Sequence, residues 1–361
     1  MNDELDPIDK ELLKDIDAFN RRYAGTGWHI EDKVVKEDLS RVQLFRSSMT
    51  SVQLAHVPWR SALLTDTRFS KVVFMQSKFT RAVLRGVVFT DCQFLGCSFE
   101  DAKLTDCRFI NCASEELNAK NANFEDCAFE SFEDRSGVFV SAVLRNCRFE
   151  RCRLDNTAFH RTEFDGVTLS ETSLTNVIFA NIRGSGLAFE NATILRCALE
   201  ESRFGNVRIE GGSAKSLTFK VFDAAQVRIH NCQLVEALTI RGSTWAATSI
   251  EECNAISELT IGQSRMKDLA ITRNQMAYFR VEETEVSGAS RIVDCRLEGL
   301  SLEKSRLVRT EMANCTLARY LVLDGATLDA VVLRGIAYAP GLEVSASGVQ
   351  YRNGSSEFGG F

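Results

Sequence analysis

Large apolar residues recur at every fifth position from Leu39 to Phe109 without exception. Side chains on one face of an α-helix repeat about every 3.6 residues and those on one face of a strand about every 2, so neither element has a period of five. Such a period is typical of a solenoid, in which short walls wind into coils and successive coils stack on one another. The pattern therefore predicts an all-β solenoid.

The repeat has a strict part followed by a looser part. The five-residue register continues to Leu234, and small or polar residues interrupt it without shifting its phase at Ser114, Ala119, Asp134, Gly184, Ala214 and Ala224. Beyond residue 234, pairs of large residues such as Leu238 and Ile240 recur with a period of about 20 or 21 residues, and a second series lies about ten residues out of phase. Two series half a turn apart indicate opposite walls of a four-walled coil, with about 15 coils in the repeat.

We expect three segments along the chain: residues 1–38 with a capping helix, residues 39–335 forming the repeat (39–234 strict, 235–335 looser), and residues 336–361 forming a C-terminal cap and a flexible tail. The helix is predicted over residues 7–23, where apolar residues recur at helical spacing, Asp6 supplies an N-cap and Pro7 takes the first helical position. It would cover the open end of the coil, which otherwise exposes apolar surface. A separate partner-binding helix is the alternative.

The unit resembles the pentapeptide-repeat family, whose consensus is roughly Ala-(Asp/Asn)-Leu/Phe-X-X. Local matches are Ala102-Lys103-Leu104-Thr105-Asp106 and Ala122-Asn123-Phe124-Glu125-Asp126. The resemblance implies a right-handed quadrilateral β-helix in which the central Leu or Phe points inward, together with the small residue two positions before it.

The predicted core combines aromatic residues at the centre of the unit with cysteines in the small inward position. The aromatic set is Phe69, Phe74, Phe79, Phe89, Phe94, Phe99 and Phe109, and the cysteine set includes Cys92, Cys97, Cys107, Cys147 and Cys152. All twelve cysteines of the chain stand two residues before a central position, and their spacing follows from the period rather than from a metal-ligand design. A free cysteine packs as a small hydrophobe, so we expect buried thiols and a reducing compartment.

Charge and hydropathy limit the kinds of partner and the location that we expect. The net charge is −6, of which residues 1–40 contribute −5 (11 acidic and 6 basic side chains), so the repeat itself is almost neutral. A nucleic-acid partner is therefore not expected. No apolar run is long enough for a membrane span, and the acidic start is unlike a signal peptide. We expect a cytoplasmic protein, with secretion without a cleaved signal peptide as the alternative.

The sequence contains no recognisable catalytic, cofactor or metal motif. The glycines and lysine of residues 211–216 lack the spacing of a phosphate loop, no nucleophile-elbow motif occurs, and the four histidines have no partner at ligand spacing. The filled core of such a coil also leaves no cleft in which a distant set of catalytic residues could meet. We predict a protein without enzymatic activity, cofactor or metal.

Charged residues in the middle of the repeat are the candidate interaction surface. An acidic group consists of Glu115, Glu116, Glu130, Glu133 and Asp134, and the basic group that follows it consists of Arg145, Arg148, Arg151 and Arg153. A mixed solvated surface would account for both groups. A binding face is the alternative, because stacked repeats can align one kind of side chain along a wall.

Two functions remain for the whole chain. The first is a scaffold that binds another protein through its walls or its capped end; the family resemblance makes a bacterial effector or an accessory protein of a secretion machinery plausible. The second is a DNA mimic that binds DNA gyrase or topoisomerase IV, as some members of the family do. The near-neutral coil and the absence of an apolar-periodic C-terminal helix favour the scaffold. The oligomeric state is left open.

Overall fold

The computed structural model describes residues 3–234, 236–356 and 358 of the 361-residue chain. It divides into two compact units, Met1–Arg183 and Gly184–Phe361. The prediction of the fold is confirmed, because the chain is an all-β solenoid of about 16 turns built from parallel strands.

After a strand at Asp3–Glu4, the first unit has two short helices, α1 at Pro7–Leu12 and α2 at Ile16–Tyr23, so the prediction of one helix over residues 7–23 was wrong. The break falls at Asp15, whose backbone is extended (φ −116°, ψ 92°) and whose carboxylate accepts hydrogen bonds from the N–H groups of Asp17 and Ala18 at 3.1 Å. Aspartate is a strong N-cap in this conformation, and it starts a second helix instead of continuing the first.

The helices are fixed to the first coils through α2. Phe19 is fully buried and contacts the ring of Trp28 edge-on at 5.1 Å, and Asn20 exchanges hydrogen bonds with the backbone of Arg41 and Gln43. Ile8, on α1, is 68% exposed. The capping contact is therefore made mainly by the second helix.

The first unit then continues as short parallel strands. In order, the strands are Asp3–Glu4, His29–Glu31, Lys33–Val35, Gln43–Phe45, Ser48–Thr50, Gln53–Ala55, Leu63–Thr65, Arg68–Ser70, Val73–Met75, Val83–Arg85, Val88–Thr90, Gln93–Leu95, Lys103–Thr105, Arg108–Ile110, Ala113–Glu115, Asn123–Glu125, Ala128–Glu130, Glu133–Arg135, Val138–Val140, Val143–Arg145, Arg148–Glu150, Arg153–Asp155, Ala158–His160, Glu163–Asp165, Val167–Ser170, Ser173–Thr175 and Ile178–Ala180.

Each coil of this unit has four walls, and each wall pairs with the same wall of the next coil, as Leu44 does with Leu64. We number the walls by their first occurrence: wall 1 is 42–46, wall 2 is 47–51, wall 3 is 52–56 and wall 4 is 57–61, each repeating once per coil. Positions 1 and 3 of a wall point inward, positions 2 and 4 point outward, and position 5 is the corner.

The core is a stack of aromatic rings and small residues. All seven phenylalanines of the predicted aromatic set are buried, and rings one coil apart lie nearly parallel, as in Phe74 and Phe94 (4.9 Å, 1°) and Phe79 and Phe99 (4.6 Å, 3°). Such pairs contribute about 0.5–1.5 kcal/mol each beyond the burial of their area. All twelve cysteines are buried free thiols.

Several interruptions of the register are explained by an exchange of sizes within a wall. In these walls position 3 is small or polar and position 1 holds a large buried residue: Leu117 with Ala119, Phe132 with Asp134 and Phe222 with Ala224. The Phe132 ring, for example, packs 5.3 Å from that of Phe129. The volume of the core is thereby kept near constant, as close packing requires. The walls of Ser114 and Ala214 lack this exchange, since their position 1 is Cys112 or Gly212.

The corners have a left-handed backbone that explains their composition. Non-glycine corner residues such as Asp126 (φ 54°) and Asn146 (φ 52°) adopt a conformation that Asn and Asp tolerate best. Stacked corners also bond to one another, since the amide of Asn146 donates to the carboxylate of Asp126 at 3.1 Å.

The second unit has longer strands, several of which join two walls. From Arg183 onward, the strands are Arg183–Glu190, Thr193–Glu200, Arg203–Glu210, Ser213–Lys220, Asp223–His230, Gln233–Leu234, Ala237–Arg241, Thr244–Ala246, Thr248–Glu251, Ile256–Gly262, Arg265–Lys267, Ala270–Thr272, Gln275–Glu282, Glu285–Ser287, Ser290–Val293, Arg296–Ser301, Arg306–Val308, Thr310–Ala313, Thr316–Val322, Thr327–Asp329, Val332–Arg334, Ala337–Tyr338, Glu343–Ser345 and Gln350–Arg352.

The register of this unit gives the coil lengths. Leu217 pairs with Leu238 and Leu238 with Leu259, so each of these coils is longer by a single residue than a coil of the first unit. Parallel pairing continues beyond residue 335, because Glu343–Ser345 and Gln350–Arg352 both pair with strands of the preceding coil.

A candidate protein-binding wall

The structure distributes the nine charged residues of the candidate surface over three walls and the core. Wall 1 carries Arg145; wall 2 carries Glu130, Arg148 and Arg151; wall 3 carries Glu115, Glu116, Glu133 and Arg153; and Asp134 lies in the core. Residues that are close in sequence lie on successive walls of the same coil. Residues that are neighbours along one wall are separated in sequence by a full coil. Wall 2 and wall 3 each bring several of these residues together on one face, and most of the acidic ones gather on wall 3.

The assignment of Asp134 to the surface was wrong. Its side chain occupies position 3 of wall 3 and is 1% exposed. It accepts hydrogen bonds from the hydroxyls of Ser114 (2.5 Å) and Thr157 (2.6 Å) and from the N–H of Gly137 (3.1 Å). Burial raises the pKa of its carboxyl above the ordinary value, against the opposing effect of these hydrogen bonds. Asp134 is therefore part of a buried polar network.

Several of the other candidates are already paired within the unit. Glu130 forms an ion pair with Arg108 (2.8 Å), Arg145 pairs with Glu163 (3.0 Å), and Arg151 pairs with its neighbour Glu150. Exposed pairs of this kind contribute little to stability, about 0–1 kcal/mol. The side chains in these pairs are less available to form an ion pair with a partner.

Wall 3 differs because its acidic residues lack such pairs. In the part of the chain that the structure describes, Glu115, Glu116 and Glu133 form no ion pair. Glu115 belongs to an outward column at position 4, in which Ala55 pairs with Met75, Met75 with Leu95, Leu95 with Glu115 and Glu115 with Arg135.

A glycine opens a cleft beside this column. Gly96 occupies a corner with φ +60°, and a Cβ atom there would lie 3.4 Å from Cγ of Gln76. The missing side chain leaves a cleft of about 320 Å³, lined by His56, Met75, Gln76, Leu95, Gly96, Glu115 and Glu116. Met75 is 37% exposed. The cleft is therefore lined by the apolar side chains of Met75 and Leu95 together with polar ones, including the carboxylates of Glu115 and Glu116.

The sequence interpretation missed Met75, Leu95 and Gly96. Their signal is a recurrence at one outward position in successive coils, which becomes visible only when the chain is folded into four walls. A survey of sequence runs selects Glu115 and Glu116 for their charge but separates them from the apolar residues one and two coils earlier.

Other kinds of site have little support in the described residues. No group of three His, Cys, Asp or Glu side chains among them is placed to hold a metal ion. Neither α1 nor α2 is long and apolar enough to cross a membrane, and these are the helices of the described chain.

Comparison with known families agrees with this architecture. A family model described as a pentapeptide repeat region matches residues 84–159, and a model described as pentapeptide repeats (8 copies) matches residues 142–181. The class defined by the fold is a β-solenoid with five-residue walls. Within this class, residues 84–181 of the chain match the pentapeptide-repeat family.

Solved structures of low similarity include other β-solenoids. A trypsin-treated variant of QnrB1, a plasmid-mediated fluoroquinolone resistance protein, is 19% identical with a TM-score of 0.32 and covers 49% of this chain and 76% of its own. HetL, a pentapeptide repeat protein involved in heterocyst differentiation regulation in Nostoc sp. strain PCC 7120, is 12% identical with a TM-score of 0.22 and covers 89% and 94%. At these values the matches carry no functional information. No curated protein matches the chain by sequence.

Proposed function

We propose that this protein is a non-enzymatic scaffold that binds another protein through wall 3 of its first unit. The observation that supports the proposal is the run of Met75, Leu95 and Glu115 within one outward column, with the cleft at Gly96 beside it. The bound segment would place an apolar side chain on Met75 and Leu95 and a basic side chain between the two carboxylates.

The energetics of the wall favour such a partner. Removing apolar surface from water stabilises a complex by about 25 cal/mol per Å², and apolar contacts at the centre of an interface usually dominate its affinity. A carboxylate that loses water on binding needs a cation or a hydrogen-bond donor in return. Glu115 and Glu116 form no ion pair among the described residues, although Arg135 is the in-register neighbour of Glu115 on the next coil, so a basic residue of the partner would fulfil this requirement.

We propose no catalytic activity because the core is filled and because buried thiols of the core are protonated. Burial raises the pKa of the Cys97 thiol to about 12 and that of Cys152 to about 11, so these thiols stay protonated and poorly nucleophilic near neutral pH. Twelve free thiols also favour the cytoplasm as the location, because a reducing compartment preserves them.

The arrangement of the acidic residues weighs against the DNA-mimic alternative. Glu100 and Asp101 lie on wall 4, Glu125 on wall 1, Glu130 on wall 2 and Glu115 on wall 3, so they form a belt around the coil. Imitation of a DNA backbone requires a stripe of negative charge along the axis. A supercoiling assay with purified gyrase tests this alternative, and inhibition by the protein would contradict the scaffold proposal.

Variants of wall 3 test the proposal directly. Leu95→Arg and Glu115→Arg place a positive charge in the cleft, whereas Ile110→Arg makes the same change at position 4 of the neighbouring wall 2, outside the cleft. Each tagged variant would first be checked for an unchanged melting temperature and then used to enrich partners from the source cytoplasm, followed by affinity measurement with the purified partner.

We expect both wall 3 variants to weaken binding of the same partner by about tenfold or more, as charge placed at an interface centre does. Ile110→Arg should leave the affinity unchanged. Equal binding by all variants would overturn the proposal for wall 3.

A further inference from the structure

A second feature of the first unit has no role in the wall 3 proposal. Residues 41–90 contain eight basic side chains and a single acidic one, Asp66. The basic residues are Arg41, Arg46, Arg60, Arg68, Lys71, Lys78, Arg81 and Arg85. The net charge of the whole repeat does not reveal this basic segment, because acidic residues of later coils offset its positive charge.

These cations are almost without intramolecular partners. Among them, in the described chain, only Arg81 forms an ion pair, with Asp101 at 3.9 Å. Arg46 lies over the ring of Phe45 at 4.8 Å, which is a cation–π contact rather than a neutralising one. Like charges on adjacent coils repel one another and lower the stability of the unit. An anionic partner would remove that cost.

Wall 1 places an apolar centre between these cations, and Asp66 occupies the following corner of the second coil, between Arg46 and Arg85. In its first three coils the outward residues at position 2 are Gln43, Leu63 and Val83, paired directly in register, and Phe45 lies at position 4. Phe45 is 36% exposed and Leu63 is 38% exposed. They lie on consecutive coils of the same wall.

The cations lie on both sides of this centre. Arg41 and Arg81 occupy the corner that precedes wall 1 in the first and third coils, whereas Arg46 and Arg85 lie on the side of the following corner. All four are exposed. We refer to Phe45, Leu63 and Val83 with these four arginines as the wall 1 patch.

We propose that the wall 1 patch binds an acidic protein segment that also carries apolar side chains. Because the patch is positively charged, a complementary partner is negatively charged. Because the centre of the patch is apolar and exposed, the partner also carries apolar side chains. Carboxylates of the segment would pair with the arginines on both sides, while its apolar side chains would cover Phe45 and Leu63.

Two other polyanions fit the patch less well. A nucleic acid contacts cations through its phosphates, which gives no use to the exposed Phe45 and Leu63. A membrane surface attracts cations as well, but membrane anchors insert their apolar face well below the headgroups. Phe45 and Leu63 are mostly packed into a flat wall and keep less than two-fifths of their surface exposed.

Binding of defined probes to the full-length protein tests the proposal. The main probe is a short fluorescent peptide rich in Glu and Asp with several Leu, and its control replaces each Leu by Ser. A DNA duplex and vesicles containing phosphatidylserine are the competing probes, and sedimentation at low salt reports whether a second copy of the chain occupies the patch.

Two variants of the patch have matched controls. Arg46→Glu with Arg85→Glu reverses charge beside wall 1, and Arg148→Glu makes the same type of change on wall 2. Leu63→Asn removes an apolar side chain, and Val143→Asn makes a similar change at the same position of wall 1 four coils later.

We expect the acidic peptide to bind, to weaken about tenfold or more on charge reversal, and to weaken several-fold when Leu63 or the peptide's leucines are changed. Both control variants should bind as the wild type does. Absence of peptide binding would overturn the proposal, as would tighter binding of DNA or vesicles without dependence on Leu63, or self-association that the charge reversal abolishes. Wall 3 variants serve as a further control, because they separate failure of this site from failure of the proposed scaffold function.

Discussion

Asp134 places a carboxylate at an inward position of wall 3. Two coils earlier this position holds Phe94, and one coil later it holds Leu154. Its network with Ser114, Thr157 and Gly137 satisfies both oxygens, yet the carboxylate is still removed from water. Burial therefore raises the pKa of its carboxyl in the folded state. A Cβ atom on Gly137 would lie 2.2 Å from Oδ2 of Asp134, which explains the glycine at this turn.

The first prediction concerns the pH dependence of Asp134→Asn. Because the folded carboxyl holds its proton to higher pH than the unfolded one, the wild type loses stability as pH rises above the ordinary carboxyl pKa of about 4. Asparagine cannot ionise, so the free energy of unfolding of the variant relative to wild type should increase from acidic to neutral pH. Denaturant titrations at several pH values measure this difference.

Glu133→Gln, at the exposed neighbouring position, is the control and should retain the wild-type pH dependence because Asp134 remains. A difference between Asp134→Asn and wild type that does not change with pH would show that the buried carboxyl is not perturbed.

The second prediction concerns the thiols. Burial raises the pKa of Cys97 to about 12, and all twelve cysteines are buried. A thiol reagent at pH 8 should therefore react with the folded protein hardly at all and with all twelve thiols after unfolding in guanidinium. Unfolded thiols ionise near a pH of about 8.5, so the raised pKa values of Cys97 and Cys152 should also lower the free energy of unfolding at alkaline pH. Rapid reaction of several thiols with the folded protein would contradict the packing.

At the scale of the wall, the exchange between positions 1 and 3 gives the third prediction. Phe132→Ala leaves a cavity and should destabilise the unit by about 3–5 kcal/mol. Asp134→Leu, beside the intact Phe132, overfills the same wall and should cost about 1–3 kcal/mol. The double variant restores the ordinary small–large order of the repeat, so its cost should be at least about 1 kcal/mol less than the sum. Denaturant unfolding of the four proteins measures this coupling, and strict additivity would contradict it.

The five-residue period predicted the walls well, because every wall must place one large residue such as Phe74 or Phe94 in the core. The break between α1 and α2 was not predicted, since Asp15 fits within a helical pattern as well as at the start of a new helix. The burial of Asp134 was also missed. Its charge suggested the surface, and only the register showed that its position points inward.

At the scale of the first unit, the surface was harder to predict than the core. Core positions follow from the local period, but neighbours on a wall are separated in sequence by a whole coil. Charged runs such as Glu115 to Glu133 therefore form a belt around the coil, and the column from Met75 to Glu115 is invisible in any short window of sequence. The five-residue period identifies which positions face outward. The pairing register between coils determines which of these residues lie on the same wall.

The central claim is that wall 3 is the binding face, and hydroxyl-radical footprinting of the protein with its purified partner tests it most directly. Met75 and His56 are exposed, oxidisable side chains at the cleft, whereas Phe45 on wall 1 and Tyr351 in the second unit are exposed and outside it. We predict slower oxidation of Met75 and His56 in the complex and unchanged rates at Phe45 and Tyr351. Unchanged oxidation of Met75, with protection on another wall, would contradict the account.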